Sequence, residues 1–286
     1  MAKITHAIAK SDDKTVQITF TIPYSIVKDS QNKVVEEFAK TAEIAGFRKG
    51  KAPIEKVREK MDPNTLVEKS LGRILPKALG DTITEHKLKP AIYPKFEVIK
   101  ANADEDWQIR AVTCELPEVD LGDYKQSLLL RSKKTIKESH SVPSDGTSRD
   151  KKEQEVIKIL LDSVKIAIPK ILIDEEVNSR LANLLERIEK LGLTLEGYLS
   201  STGKNPQALR EEYGAQAKST IMLDLILNKI VDEENIQISE EQIDSALKAA
   251  MADPKLFEKL NTPNQRLLVK GVLSRRTALD NLVLLI

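Results

Sequence analysis

The sequence predicts an α+β protein made of two parts, an N-terminal α+β domain and an all-helical C-terminal domain. Residues 15–22 alternate apolar and polar side chains, which is typical of a half-buried strand. From about Glu153 onward, apolar residues instead recur at helical spacing. Between the two parts, residues 131–152 are almost entirely polar. These three observations set the fold class and indicate where one part ends and the other begins.

The N-terminal elements can be predicted one by one. A hairpin with a polar turn comes first, then three helices separated by turn residues, then two more strands. The predicted ranges are 4–9 and 15–22 for the hairpin, 25–45, 53–61 and 65–86 for the helices, and 95–100 and 107–116 for the last strands. Gly46 would follow the first helix in the left-handed conformation that ends many helices. We expect this domain to occupy residues 1–117.

The rest of the chain divides into a linker and a helical domain. Residues 118–152 are expected to be a solvated linker, because residues 131–152 are too polar to form a core. Residues 153–286 are expected to be helical, and Ser239 with Gln242 resembles a capping box. A leucine-rich stripe runs through Val177, Leu181, Leu184, Ile188, Leu191 and Leu195. Such a stripe fits either an internal packing seam or an exposed apolar cradle, and the sequence leaves both open.

Composition excludes several classes of protein. The formal net charge is +1, which argues against a general nucleic-acid coat. A single cysteine, Cys114, rules out an intramolecular disulfide and fits a packed thiol in a reducing cytoplasm. The histidines His6, His86 and His140 lie far apart in sequence, without metal-ligand spacing, so we expect no metal site. No catalytic motif or nucleotide-binding loop is found, so neither catalytic residues nor cofactors are expected.

The most informative segment is Gly46-Phe47-Arg48-Lys49-Gly50-Lys51-Ala52-Pro53. It places one large aromatic residue beside three cations, between two glycines and before a proline that can begin a helix. An exposed Phe is unfavourable in water unless something covers it, and Arg with Lys attracts anions such as phosphate. The composition of this loop therefore indicates a docking site for a surface that is part protein and part nucleic acid.

This octapeptide matches the G-F-R-x-G-x-x-P signature of bacterial trigger factor, the chaperone at the ribosomal exit tunnel. The resemblance extends to Glu115-Leu116-Pro117-Glu118-Val119, Ile168–Glu176 and Gly192–Leu199, in the order found in that family. It implies that Phe47, Arg48 and Lys49 contact the ribosome, with Gly46, Gly50 and Pro53 shaping the loop. The family usually carries a prolyl-isomerase domain between its two parts, and residues 131–152 are too few to form one.

The resemblance therefore implies an ATP-independent, cytoplasmic chaperone with two partners, the ribosome near its exit tunnel and unfolded nascent polypeptides. No isomerase activity and no membrane partner are expected, and a weak homodimer is left open. The alternative from another class is an RNA-binding or ribosome-assembly factor that uses the basic loop as an RNA contact. Near-neutral charge and the absence of aromatic stacking platforms count against that alternative.

Overall fold

The computed structural model describes residues 3–130, 145–250 and 262–286. The chain divides into two compact units, one of Met1–Leu116 with Pro169–Leu172, and one of Pro117–Ile168 with Ile173–Ile286. The first unit contains a four-stranded sheet with helices, and the second is helical in its described residues. The α+β class with a helical second part is thus confirmed.

The first unit is built on an antiparallel sheet with strand order β1-β2-β4-β3. Its elements are β1 (Thr5–Lys10), β2 (Thr15–Ile22), α1 (Tyr24–Ala39), α2 (Ile54–Lys60), α3 (Pro63–Glu85), β3 (Lys95–Lys100) and β4 (Trp107–Cys114). Alternate residues of β2, including the fully buried Phe20, face α3, which contributes Leu71, Leu75 and Leu79 to the same core. The predicted period of two in β2 therefore marks a buried sheet face.

Two helix ends in this unit differ from prediction. The helix α3 starts at Pro63 rather than near Thr65, because the Asp62 carboxylate accepts a hydrogen bond from the Thr65 amide at 2.8 Å and caps the helix. The helix α1 ends at Ala39 rather than near Ala45. Gly46 has a positive φ of 87°, as expected, but it lies in the loop and not directly after the helix.

The second unit comprises α4 (Asp145–Ser163), α5 (Lys170–Lys190), α6 (Leu195–Thr202), α7 (Pro206–Glu233), α8 (Glu240–Ala250) and α9 (Pro263–Val283). The first three residues of α5 belong by their contacts to the first unit. Its main core joins α4, α7 and α9 through buried aliphatic side chains such as Leu160, Ile226 and Leu282. The predicted capping box of α8 is formed, with Ser239 and Gln242 exchanging hydrogen bonds of 2.9 and 3.3 Å.

The predicted linker at 118–152 needs correction where the structure describes it. Residues 124–130 are helical, and the preceding Leu121 is buried with Tyr124 and Leu128 in the core of the second unit. Residues 145–152 form the first turns of α4, within which Arg149 pairs with Asp280 of α9 at 2.9 Å. The apolar residues at 121, 124 and 128 follow a helical period that the polar composition of the neighbouring segment obscured. Residues 131–144 lie outside the described part of the chain.

Candidate functional site

The loop of residues 40–53 joins α1 to α2 and has a small core beneath it. Ala42 is buried with Val34 and Val35 of α1 and with Val57 and Met61 at α2. This cluster is separate from the core under the sheet. It holds the base of the loop by apolar packing and leaves residues 45–49 exposed.

Gly46 and Gly50 both have positive φ, of 87° and 73°, which L-amino acids rarely adopt. The Gly50 amide donates a hydrogen bond to the Ala42 carbonyl oxygen at 3.2 Å, which closes the loop. Pro53 follows as the residue that caps α2. The three residues predicted to shape the loop are thus found at its two turns and at its exit.

The loop tip carries the predicted triplet. Phe47 is 45% exposed, and the Arg48 and Lys49 side chains are also exposed. The ammonium group of Lys49 pairs with Glu43 at 2.8 Å, but both side chains are well solvated, so this ion pair holds Lys49 only weakly. Within the described residues, the Arg48 guanidinium has neither a hydrogen-bond partner nor an ion-pair partner. The three side chains can therefore reach a partner surface.

The second unit offers an apolar surface around α5, α6 and the start of α7. A groove of about 290 Å³ is lined mainly by leucines, including Leu184, Leu195 and Leu209. Beside it, Leu191 is 74% exposed and Leu193 is 53% exposed. The predicted stripe is therefore divided, because Val177 and Ile188 are buried whereas its last members face solvent. Leu199 of α6, nearby, is buried, whereas Leu284 is exposed at the end of α9.

The histidines show what sequence reasoning missed. His6 on β1 and His86 after α3 are 80 positions apart, yet their Nε2 atoms lie 2.9 Å from each other. Glu85 Oε2 is 3.9 Å from the same His6 nitrogen. Two histidines that are far apart in sequence are therefore neighbours in the fold. No spacing rule could have found this pair, because β1 and the end of α3 are brought together only by the tertiary fold. His140 lies outside the described residues.

Cys114 is fully buried at the end of β4, as expected for a packed thiol. Burial, assisted by the negative charge of Asp13, raises the pKa of the thiol to about 11. A thiol with this pKa is protonated at neutral pH and is a poor nucleophile. It is therefore no candidate for covalent chemistry.

A comparison with solved structures identifies the fold. The chain resembles the structure reported under "Promiscuous Substrate Recognition in Folding and Assembly Activities of the Trigger Factor Chaperone", with a TM-score of 0.66 and 15% identity. The match covers 98% of this chain and 99% of that one. The chain, with its α+β unit and its helical unit, thus has the fold of that structure. Of the helices that the structure describes, none is both long and apolar enough to span a bilayer.

Sequence comparison assigns the family. Residues 5–141 match the family model described as bacterial trigger factor protein, and residues 131–283 match that of the trigger factor C-terminus. The chain belongs to the bacterial trigger factor family. The two matches overlap at residues 131–141.

Curated relatives named trigger factor include those of Lachnoclostridium phytofermentans, Clostridium botulinum and Streptococcus agalactiae. The first is 31% identical over 59% of this chain and 38% of its own length. The Clostridium botulinum protein is 24% identical over 78% of this chain and 53% of its own length. The Streptococcus agalactiae protein is 34% identical over 38% of this chain and 25% of its own length. The aligned regions thus span only about a quarter to a half of these relatives.

Proposed function

We propose that this chain is an ATP-independent, cytoplasmic chaperone that docks on the ribosome near the polypeptide exit tunnel and shields apolar segments of nascent chains. The observation that carries the proposal is the exposed Phe47 at the tip of an anchored loop, beside Arg48 and Lys49. Family membership supports the chaperone role. We propose the docking role of the three residues and the identity of the partners on the basis of this loop.

The chemistry of the loop suits a mixed protein and RNA surface. Phe47 would place its ring in an apolar niche, where an aromatic anchor can supply much of the binding free energy. Arg48 would fork onto a phosphate or carboxylate, and Lys49 would add a point charge. Since Lys49 is only weakly held by Glu43, its release would cost little. The packed base of the loop keeps the tip ordered before binding, which lowers the entropy cost of docking.

The helical unit would hold clients by many weak apolar contacts. The leucine groove and the neighbouring Leu191 and Leu193 offer such contacts. Docking would raise the effective concentration of this surface where new chains emerge. Exposed apolar segments are prone to aggregation before folding is complete, so covering them briefly protects them. Release would follow from weak binding and would need no nucleotide.

The docking test is sedimentation with translating ribosomes. A variant with Phe47→Ala, Arg48→Ala and Lys49→Ala is expected to lose at least about tenfold in affinity for the ribosome. A matched control with Tyr93→Ala, Lys95→Ala and Lys100→Ala removes the same aromatic and cationic count near β3 and is expected to bind like wild type. Circular dichroism checks that both variants are folded. Wild-type ribosome association by the loop variant would reject the docking assignment.

Two further measurements separate the alternatives. An RNA-binding factor would hold naked ribosomal RNA with a steep salt dependence, whereas the proposed chaperone needs the assembled ribosome. The chaperone is also expected to suppress aggregation of a denatured client, with or without the loop substitutions. We propose that the chain has no prolyl-isomerase activity, and clear catalysis in a proline-limited refolding assay would contradict this.

A further inference from the structure

Three metal-binding side chains from two distant parts of the chain meet beside β1. His6 lies on that strand, Glu85 is the last residue of α3, and His86 is the residue that caps it. One ligand atom from each lies within 4.8 Å of the other two. The two imidazole Nε2 atoms are closest, at 2.9 Å.

These separations fit a single ion. Zn²⁺ and similar ions bind imidazole nitrogen at about 2.0–2.1 Å, so two such nitrogens lie ~2.9 Å apart at a right angle and ~3.3 Å apart at a tetrahedral angle. The Nε2 atoms are already at the lower of these distances. Glu85 Oε2 lies 3.9 Å from His6 Nε2 and belongs to an exposed side chain.

A neighbouring hydroxyl sets His6 in the tautomer that binds metal. Thr82 Oγ1 donates its only hydrogen to the Ala78 carbonyl oxygen at 2.8 Å. In its 3.4 Å contact with His6 Nδ1, the hydroxyl must therefore accept, which places the ring hydrogen on Nδ1. The lone pair of His6 is then on Nε2, where it accepts a hydrogen from His86 Nε2 in their 2.9 Å contact. That hydrogen must move to the other ring nitrogen of His86 before both Nε2 atoms can bind one ion. An outer hydrogen bond like that between His6 Nδ1 and Thr82 is the usual way in which a metal-binding histidine is oriented.

The end of α3 attracts a cation, and the groove beside it gives a path of entry. The site is at the carboxyl end of α3, where the partial negative charge of the helix attracts positive ions. It forms one end of an open groove of about 1020 Å³ between β1, α1 and α3. The same groove is lined by Lys3, Lys33, Arg73 and Lys77 as well as by Asp29 and Asp81, so the attraction comes from the helix end and the ligands themselves. Two imidazoles and one carboxylate are the donors of borderline-soft divalent ions, whereas Mg²⁺ and Ca²⁺ prefer oxygen alone.

We propose that His6, Glu85 and His86 bind one divalent late transition-metal ion, with Zn²⁺ as the best fit, and leave its remaining position to water. A bound ion would tie β1 to the end of α3. This site is separate from the loop at residues 40–53, so its existence does not depend on the docking role. The competing explanation is that the two imidazoles share only a hydrogen bond, which would leave no affinity for metal.

The test uses the full chain without a histidine tag, stripped of metal and titrated with ZnCl₂ by calorimetry. Wild type is expected to bind a single Zn²⁺ and to unfold at a higher temperature when it is bound. His86→Ala is the informative variant, because the side chain is exposed and the fold should tolerate the change. Loss of a residue that only hydrogen-bonds to a metal ligand lowers metal affinity by about 10–100-fold. Loss of His86, a ligand itself, is therefore expected to lower the affinity for Zn²⁺ by at least about tenfold.

His140→Ala is the matched control, since it removes the remaining histidine of the chain. It is expected to leave Zn²⁺ binding unchanged, and Mg²⁺ is expected to produce no heat and no thermal shift. The absence of Zn²⁺ binding by the wild-type chain would overturn the proposal. So would a His86→Ala variant that binds as wild type does, or loss of binding in the His140→Ala variant.

Discussion

The amide of Gly50 donates a hydrogen bond to the carbonyl oxygen of Ala42 across 3.2 Å. This bond draws the two sides of the loop so close together that a Cβ atom on Gly50 would lie 2.6 Å from the Lys40 carbonyl oxygen. Gly46 has a similar positive φ but has open space around it. Both glycines therefore hold a backbone conformation that strains other residues. Only at Gly50 is there also no room for a side chain.

Gly50→Ala is expected to lower the free energy of unfolding of the first unit by about 2–4 kcal/mol, because strain and the contact with Lys40 act together. Gly46→Ala, the control, should cost only the strain, about 1–2 kcal/mol. Urea denaturation measures both losses. Ribosome co-sedimentation should fall more for Gly50→Ala, and equal losses in the two variants would show that steric room is unimportant.

Exposed leucines of the second unit are expected to serve client binding rather than stability. Leu191→Ser with Leu193→Ser should lower the suppression of client aggregation and change the unfolding free energy by less than about 1 kcal/mol, since both side chains already face water. The control is Val98→Ser with Leu116→Ser, which changes two similarly exposed side chains of the first unit. Light scattering of a refolding client, with wild type beside both variants, measures the effect. Equal activity in the two variants would contradict the assignment.

Glu115 is expected to make stability dependent on pH. A hydrogen bond from the Lys10 ammonium at 2.8 Å, with a second from the Lys89 amide at 2.9 Å, lowers the pKa of its carboxyl. Because the folded-state pKa lies below the unfolded value of about 4.3, the stabilisation is full above that pH and is lost as the pH falls through the folded-state value.

Glu115→Gln should therefore destabilise the protein at pH 7, by about 0.5–2 kcal/mol, and by less at pH 3. Urea denaturation at the two pH values measures this difference. The control is Glu97→Gln, which removes an exposed pair with Arg110 and should cost less than about 0.5 kcal/mol. A loss for Glu115→Gln that is the same at both pH values would argue against the carboxylate as its cause.

Cys114 is expected to resist thiol reagents while the protein is folded. Its side chain is fully buried and its pKa is raised to about 11, so little thiolate is present at pH 8 and the reagent has no access. Labelling with a disulfide reagent should follow global unfolding, and it should be rapid in concentrated urea. Fast labelling of the native protein at pH 8 would contradict the buried position.

The sequence predicted most of what local pattern controls. The alternation in β2 and the helical spacing in α3 follow from burial on one face, so those elements were found. The end of α1 was missed because Ala42 and Ala45 continue its helical spacing, with no Gly or Pro before position 46. In the structure, the Thr41 hydroxyl and the Thr41 amide both donate hydrogen bonds to the Phe38 carbonyl oxygen. The Ala42 carbonyl oxygen accepts a hydrogen bond from the Gly50 amide of the loop.

Contacts between residues that are far apart in the sequence were harder to predict. The loop triplet could be identified because its chemistry is contiguous, with Phe47 next to Arg48 and Lys49. The histidine pair could not, because the contact between His6 and His86 depends on where a strand and the end of a helix meet. The core position of Leu121 and Leu128 could not be predicted either, because the side chains that bury them lie in the later helices α4, α7 and α9.

The five buried residues beneath the loop have a consequence for how the first unit opens. Because Val34, Val35, Ala42, Val57 and Met61 pack with one another and apart from the sheet core, this corner can lose its order while the strands stay paired. Amide hydrogens of α2 and the adjoining turn should then exchange with deuterium sooner than those of β2 and β4. The loop proposed to dock would then be a separate cooperative unit, which could open and close while the sheet stays folded.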